Sequence, residues 1–505
     1  MATASSRSSA DLLGQPFADH SDLFRAHAAE QPDAVAIADE AGRLSWRELD
    51  ALVERVAARL QAEGVGRGGA VAVVGQNSIA YGAVFLAVIR TGAAVAPLTT
   101  SATPEALAAM LADSGARHLF ADPAIELDVP PSVQRIDLHA LPAWMAPAGT
   151  RATPVTVAPE DPFNIIYSSG TTGVPKGIVQ SHGMRWAYLA RTAVYDRQSV
   201  VLLSTPLYSN TTLVAFLPCL GFGGQAVLTK KFEARRFLEL SARERVTHAM
   251  LVPVQYRRIM ALEDFDRFDL SSYRVKFCTS APFPVELKRD ILARWPGGLV
   301  EFYGMTEGGA STVLVAHEHP DKLHTVGRVA PNSEMKLIDE DGRELPPGGV
   351  GEVVGRGPMM MNGYHRCDEA SRAAEWFDAQ GRRFIRHGDV GRFDEDGFLI
   401  LMDRTKDMII SGGFNIYPSD LEAVLAAEPG VVEAAVVGVP HPDWGETPVA
   451  FAVLDGVESE AVLAAANARL GKTQRITALH VVDQLPRSAI GKVLKRELRD
   501  RLARS

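Results

Sequence analysis

The stretch Tyr167-Ser168-Ser169-Gly170-Thr171-Thr172-Gly173-Val174-Pro175-Lys176-Gly177 holds three glycines, four Ser/Thr hydroxyls and a lysine. Glycine frees backbone N–H groups to wrap an anion, Ser and Thr add donors, and Lys adds positive charge. Such a set can hold a polyphosphate. The preceding residues 163–167 are short and apolar enough for a buried strand, which would place the loop at a strand end. The spacing narrowly misses G-x-x-x-x-G-K-[ST]. Pro175 stands where the second Gly belongs, and Gly177 where a magnesium-binding hydroxyl belongs. A kinase-type P-loop is therefore disfavoured, and a plain surface turn stays open on this stretch alone.

Four further strand-like runs each end in small, polar or turn residues. Residues 200–203 lead to Ser204-Thr205-Pro206-Leu207-Tyr208, and residues 249–252 to Pro253. Residues 275–278 lead to Thr279-Ser280-Ala281-Pro282, and residues 299–302 to Tyr303-Gly304-Met305-Thr306-Glu307. In open parallel sheets ligands sit beyond the carboxyl ends of strands, so these ends and the loop could line one crevice. Three charged residues have weaker local contexts. Glu307 alone reads equally as a helix N-terminal acid. Asp389, in His387-Gly388-Asp389-Val390-Gly391, reads as a turn former. Lys492, beside Lys495, Arg496 and Arg499, reads as a solvated charge.

The elements that must position these residues alternate between strand and helix. Ser45 and Glu48 form a capping box, Leu49, Val53, Val56 and Leu60 share a helical face, and Gly64 ends the helix. Residues 70–75 read as a buried strand. Thr103 caps the next helix, with Pro104 at its first position and Gly115 as its stop. Residues 79–98 are apolar but interrupted by Arg90 and Gly92, as in a buried helix and turn rather than a membrane span. After residue 317, Asp341-Gly342 and Pro346-Pro347-Gly348-Gly349 punctuate short β-prone runs, the pattern of a small β-rich subdomain. The last hundred residues alternate again. Ser419 and Glu422 read as a second capping box, 431–439 as a strand and 461–470 as a helix.

The expected fold class is multidomain α/β. It comprises a large domain over residues 1–403, with layered α/β subdomains and the β-rich part, and a small α+β domain over 404–505. A chain of 505 residues exceeds one core. A net charge of −9 without a basic block excludes a nucleic-acid footprint. Cys219, Cys278 and Cys367 are far apart and form no C-x-x-C pair, which points to core thiols in a reduced, cytoplasmic setting. The first sixteen residues lack an apolar core and read as a loose terminus rather than a signal peptide. No membrane insertion is expected, and a homodimer is left open.

Together the motifs resemble the adenylate-forming superfamily of acyl-CoA synthetases, peptide-synthetase adenylation domains and firefly luciferase. The resemblance covers nearly the whole chain. It is carried by the opening loop, Tyr303-Gly304-Met305-Thr306-Glu307, Gly388-Asp389, Asp403-Arg404, Gly412-Gly413-Phe414-Asn415-Ile416-Tyr417-Pro418 and Pro486-Arg487-Ser488-Ala489-Ile490-Gly491-Lys492. It implies that a carboxylate attacks the α-phosphate of ATP to give an acyl-AMP and pyrophosphate. Two anions must meet, so the site must neutralise charge. By resemblance, Ser168, Ser169, Gly170, Thr171, Thr172, Gly173 and Lys176 wrap the β- and γ-phosphates. Glu307 is the implied Mg2+ ligand, Thr306 contacts the α-phosphate and Tyr303 packs against adenine; Gly304, Met305, Ser280, Ala281 and Pro282 complete the ATP- and AMP-binding set, and all but Pro282 also count among the walls of the acyl pocket. Asp389 takes the ribose hydroxyls, with Arg404 beside it, and Lys492 bridges carboxylate and α-phosphate.

The resemblance also implies a second half-reaction with coenzyme A. The small domain would rotate about Lys406, withdrawing Lys492 and bringing in the 411–417 loop. Gly412 and Gly413 would admit the thin pantetheine arm close to backbone. Trp444, Lys472 and Arg475 are the remaining coenzyme A candidates.

The sequence departs from the family in two places. Ser209 follows Tyr208 where an aromatic-His pair is usual, and residues 472–476 lack the usual aromatic-Lys-x-Pro string. The acyl pocket is expected from Tyr208, Ser209, Val252, Tyr256 and Gly309, a mostly apolar set suited to an aryl, aryl-alkenyl or medium-chain acid. With no Asp near Ser209, an amino-acid substrate would lack its ammonium partner. The leading expectation is an AMP-forming acid–CoA ligase. A stand-alone enzyme loading a carrier protein and a non-catalytic nucleotide- or acyl-binding regulator remain as alternatives. His182 and Trp186 read as structural.

Overall fold

The computed structural model describes residues 7–168, 176–190, 194–404, 407–411, 414–416, 418–441, 445–470, 474–488 and 491–504. Two large sheets dominate the first two thirds. One has seven strands, in the order Gly363–Tyr364, Lys176–Ser181, Pro162–Ser168, Ala94–Leu98, Ala70–Val74, His118–Ala121 and Gln134–Asp137. Its first strand comes from a late part of the chain and closes an edge, pairing Gly363 with Val179 and Tyr364 with Ile178. The other sheet has nine strands. Its central parallel set is Gly298–Tyr303, Val275–Cys278, His248–Leu251, Val200–Leu203 and Gln225–Leu228. The four strand ends expected to line a crevice are thus neighbours in one sheet, all pointing the same way.

The helices Ile79–Arg90 and Asn210–Gly221 lie between the sheets. Their side chains join Val71, Val73 and Val95 of one sheet and Val201, Leu203 and Ala226 of the other in one apolar core. Ile79–Arg90 is apolar all round because it is covered all round, as a fully buried helix must be. Gly82 lets it approach. A Cβ there would stand 2.9 Å from Ile37 Cδ1 in the nine-stranded sheet. Arg90, the charge within this run, is buried and ion-paired with Asp50 at 2.7 Å and Glu54 at 3.2 Å. Among the described residues no helix is long and apolar enough to cross a membrane.

The β-rich part forms a five-stranded antiparallel sheet of Glu334–Ile338, Gly351–Arg356, Arg383–Phe393, Glu375–Phe377 and Leu399–Arg404. The C-terminal part has its own five-stranded sheet, centred on Val431–His441 and Gly445–Leu454. Its strands show the two-residue alternation of a sheet covered on both faces. Val436 and Ala450 pack with Leu421, Leu425, Val462 and Ala466 of two helices. Ala435, Val437, Val449 and Phe451 pack with Leu498 of the last helix.

Local signals hold where they act within one turn. Ser45 and Glu48 cap the helix Trp46–Ala62 reciprocally, Thr103 caps Pro104–Ser114, and Gly115 takes φ +67°. Two readings need correction. The helix Pro418–Ala426 begins before Ser419, so Ser419 is not its cap. Its hydroxyl donates to the Met402 carbonyl, while Glu422 accepts from the Val436 N–H and pairs with Lys495. Cys219 and Cys278 are core thiols, but Cys367 is only half-buried, at the start of the short helix Asp368–Ala373.

Burial pushes His182, His248 and His387 down to about 4 from the ordinary 6.5. In the unfolded chain all three take up protons near pH 6.5, while the folded chain resists until about pH 4. Unfolding therefore binds protons in this window, and stability falls as the pH falls, by about 1.4 kcal/mol per pH unit for each such histidine. The urea midpoint is expected to drop steadily between pH 6.5 and 4.5. A His248→Gln variant should show a shallower drop.

Candidate active site

The strand Gly298–Tyr303 ends at Tyr303, and the chain must then turn back into Thr312–Val315, its antiparallel neighbour. The return is pinned by Gly308 and Gly309, which pair with Met360 and Met359. Both have positive φ, at 76° and 94°. A Cβ on Gly308 would lie 1.8 Å from the Met359 carbonyl oxygen, so only glycine fits.

Glu307 sits at the start of this pinned segment. Its Oε1 accepts a hydrogen bond from the Tyr364 hydroxyl at 2.8 Å, and its carbonyl accepts from the Met361 N–H at 2.8 Å. Burial first, and then the Glu307 charge, raise the Tyr364 phenol well above its ordinary range, so it stays a donor. Lys176 Nζ lies 5.4 Å from the centre of the same ring. The lysine that follows the Gly-rich loop and the acid of the Thr306-Glu307 pair thus meet across Tyr364, a residue the sequence reading did not single out. Ser168 and Lys176 face each other as antiparallel partners at the ends of their strands.

Thr306 is held from below by a buried polar chain that the sequence reading also missed. Its carbonyl accepts from Gln180 Nε2 at 2.6 Å. Gln180 Oε1 accepts from Asn164 Nδ2 at 3.0 Å, and Asn164 Oδ1 from Arg185 Nε at 2.9 Å. All three side chains are buried, and burial lowers Arg185 to about 10. The available signal was a polar residue interrupting each of two apolar strands. A buried amide needs a partner, and here the partners form a line to the site. His182 and Trp186 lie in the core, His182 against Phe163 and His20, and Trp186 among Leu12, Leu23 and Leu189.

The Tyr303 hydroxyl donates to Asp389 Oδ2 at 2.8 Å and lies 3.1 Å from His387 Nδ1. The phenol has one proton, so His387 donates from Nδ1 and its Nε2 is unprotonated. Burial keeps this ring neutral. Asp389 stands opposite Arg404 in the register of the strands Arg383–Phe393 and Leu399–Arg404. The carboxylate, tyrosine and histidine form one rigid cluster beside the half-buried Met305 and exposed Gly304.

Beyond Val275–Cys278, Ser280 holds φ +84° and its hydroxyl lies 2.7 Å from Thr211 Oγ1. Such a backbone is unusual outside glycine and marks a constrained position. Half-buried Ala281 and exposed Pro282 follow it. Ser209 caps the helix Asn210–Gly221, accepting from the Thr211 N–H at 3.3 Å, so this serine has a local structural task. Tyr208, Val252 and Gly309 are each buried, Val252 directly after the strand His248–Leu251 and Gly309 in the pinned return after Glu307. Tyr256 has no exposed surface. Its hydroxyl donates to the Phe277 carbonyl at 2.9 Å and its ring stacks on Phe283, so it supports its surroundings from behind.

Lys492 lies in a tight turn. The Ser488 N–H donates to the Lys492 carbonyl and the Gly491 N–H to the Ser488 carbonyl, both at 2.8 Å, and Arg487 pairs with Val493. Gly491 takes φ +78°, and a Cβ there would be 2.6 Å from Val254 Cγ1 and 3.7 Å from Val252 Cγ2. The turn is therefore seated against the start of the helix Pro253–Met260, directly after the strand His248–Leu251. Arg475 is exposed on the C-terminal unit. Ser169, Gly170, Thr171, Thr172, Gly173, Lys406, Gly412, Gly413, Trp444 and Lys472 lie outside the described residues, as do the side chains of Ser168 and Arg404. No group of three or more His, Cys, Asp or Glu side chains placed to hold a metal ion occurs among the described residues.

The AMP-binding enzyme family profile matches residues 24–365, and that of the AMP-binding enzyme C-terminal domain matches residues 420–492. The chain is 33% identical to an indoleacetate–CoA ligase of Aromatoleum aromaticum, over 95% of this chain and 97% of that one. It is 34% identical to a feruloyl-CoA synthase of Amycolatopsis, over 93% and 96%. The ATP-bound structure of MatB from Rhodopseudomonas palustris superposes with a TM-score of 0.84 at 30% identity, over 95% of this chain and 98% of that one. Together the two profiles span most of the chain, and the relatives are matched over nearly their whole length. The chain is a member of the AMP-binding enzyme family, on the acyl-CoA synthetase branch of the adenylate-forming superfamily.

Proposed function

We propose that the protein joins an aromatic or aryl-alkenyl carboxylic acid to coenzyme A through an acyl-AMP. The observation that carries this reading is the seating of the Gly491-Lys492 turn against Val252 and Val254. It places the turn that carries Lys492 at the start of the helix Pro253–Met260, just after one of the strand ends, which supports a cation acting there on two reacting anions. The carboxylate oxygen attacks the α-phosphorus, forms the new P–O bond and expels pyrophosphate. Lys492 offsets the charge that gathers between the carboxylate and the α-phosphate. Lys176, with residues 168–173, grips the leaving β- and γ-phosphates, and Thr306 orients the α-phosphate. Asp389 accepts from the ribose, and Tyr303 with residues 280–282 and 304–305 borders the base.

A single carboxylate at Glu307, with no protein cage around it among the described residues, fits Mg2+. That ion takes one or two carboxylates and completes its shell with water and phosphate oxygens. Bound there, it would screen the phosphate charge. In the second half-reaction the thiol sulfur of coenzyme A attacks the acyl carbonyl and AMP leaves. We assign entry of the pantetheine arm to Gly412 and Gly413, with Trp444, Lys472 and Arg475 toward its nucleotide and Lys406 as the pivot. Residues 1–403 and 404–505 act as the two working domains. The setting we infer is cytoplasmic.

The acyl pocket we assign to Tyr208, Ser209, Val252 and Gly309, backed by Tyr256, offers no second cation. An apolar acid therefore fits better than a diacid. The aromatic acids in the names of the two relatives support the same class. Acid-dependent pyrophosphate–ATP exchange across aryl, cinnamyl and fatty acids, followed by coenzyme A-dependent AMP release, tests the reading. Exchange is expected to be strongest with an aryl or cinnamyl acid. Exchange without coenzyme A-dependent release would favour a carrier-protein acceptor, and no exchange with any acid would sink the enzyme reading.

A further inference from the structure

We propose that Glu433 is a positioning residue for Lys492. It lies on the strand Val431–His441 of the C-terminal unit, and its carboxylate is divided between two guanidinium groups. Oε1 accepts from Arg257 Nη1 at 2.6 Å and Oε2 accepts from Arg487 Nη2 at 2.9 Å. Arg487 Nη1 in turn donates to the Gly491 carbonyl at 2.7 Å, one residue before Lys492. A continuous line of charge-assisted hydrogen bonds therefore runs from the helix Pro253–Met260 through Glu433 and Arg487 to the turn that presents the lysine.

The receiving helix makes the arrangement specific. Val254 and Arg257 are three residues apart and lie on one helical face. Val254 takes the Gly491 turn by close packing, and Arg257 takes Glu433 by charge. The two contacts fix both the approach and the rotation of the turn. The Glu433 side chain is 19% exposed and that of Arg487 is 26%, so this pair is sheltered, whereas Arg257 is 45% exposed. Salt should weaken the outer contact first. A carboxylate shared in this way can release Arg257 and keep Arg487, so the turn stays formed when the C-terminal unit leaves the helix. Glu433 thus favours the arrangement with Lys492 docked, without itself touching a reacting group.

The inference rests on the acyl-AMP reading above, so the two half-reactions must be measured separately. Glu433→Ala and Arg257→Ala are each expected to slow pyrophosphate–ATP exchange about tenfold. Both should leave thioester formation from supplied acyl-AMP within twofold of the parent, with an unchanged melting temperature. The double variant should be no slower than Glu433→Ala. Exchange by the parent should fall more steeply with added salt than exchange by either variant. Lys492→Ala run alongside separates the two ideas. If the parent shows no exchange with any acid, the acyl-AMP reading fails; if Lys492→Ala keeps full exchange, the role of Lys492, and with it that of Glu433, is overturned. If Lys492→Ala loses exchange while Glu433→Ala keeps it, the role of Glu433 is overturned. Equal loss of both half-reactions in Glu433→Ala would also overturn it, as a merely structural effect.

Discussion

Lys492→Ala is expected to lower pyrophosphate–ATP exchange about a thousandfold while thioester formation from supplied acyl-AMP stays largely intact. The size follows from the removal of one charge aimed at a developing anion, which costs about 4 kcal/mol of transition-state stabilisation. The asymmetry follows from geometry. Lys492 is tied to the site through a turn seated on Val254, on a structural unit with its own sheet and core. In the proposed mechanism it serves only the step made while that turn is docked. Stopped-flow or isotope exchange reads the first half-reaction, and release of free AMP from synthetic acyl-AMP reads the second. Equal loss in both would remove the assigned role. The truncation should leave the fold intact, because Lys492 is only half-buried and its turn is closed by backbone and Arg487 hydrogen bonds.

Gly308→Ala is the second large effect, and it acts on the fold as much as on the chemistry. The added Cβ would overlap the Met359 carbonyl oxygen, in a backbone conformation that side chains already disfavour. Relief requires the Gly308–Gly309 and Met359–Met360 pair to open. That also frees Glu307, whose carbonyl and carboxylate are held by Met361 and Tyr364. A loss of about 3 kcal/mol or more is expected in the urea midpoint, with exchange activity near background. Gly397→Ala is the matched control. Its φ is +79°, but nothing lies within 4 Å of the added carbon, so it should cost only about 1 kcal/mol.

Much of this architecture was legible in the sequence because its signals are short. A Ser at position 45 and a Glu at 48 meet across one helical turn, and Thr103, Pro104 and Gly115 each act on the adjacent backbone. Strand ends at 203, 252, 278 and 302 could be read from apolar runs stopped by turn residues, each within one residue of its place, and one sheet does gather them. The same reasoning misplaced Ser419. A capping pattern only offers a partner, and there the Met402 carbonyl took the hydroxyl instead. What sequence could not show were pairings between distant residues of ordinary type. Tyr364 over Lys176, Gln180 under Thr306 and Glu433 between two arginines are each unremarkable in their own segments. Their partners are chosen by how sheets and units come together, which no local spacing encodes.

The strand Lys176–Ser181 is completed at its outer edge by Gly363–Tyr364, a segment made long after it. During synthesis that edge therefore leaves the ribosome with a row of unpaired N–H and C=O groups, and stays so until the β-rich part has largely emerged. An open edge of this kind is a template for pairing with other chains. Long-range closure of this sort is also slow. Nascent or refolding chains should therefore be most prone to aggregate in the interval before residues 363–364 dock. Because Tyr364 then sets Glu307 beside Lys176, nucleotide binding and resistance to aggregation should appear together, as one late event in maturation.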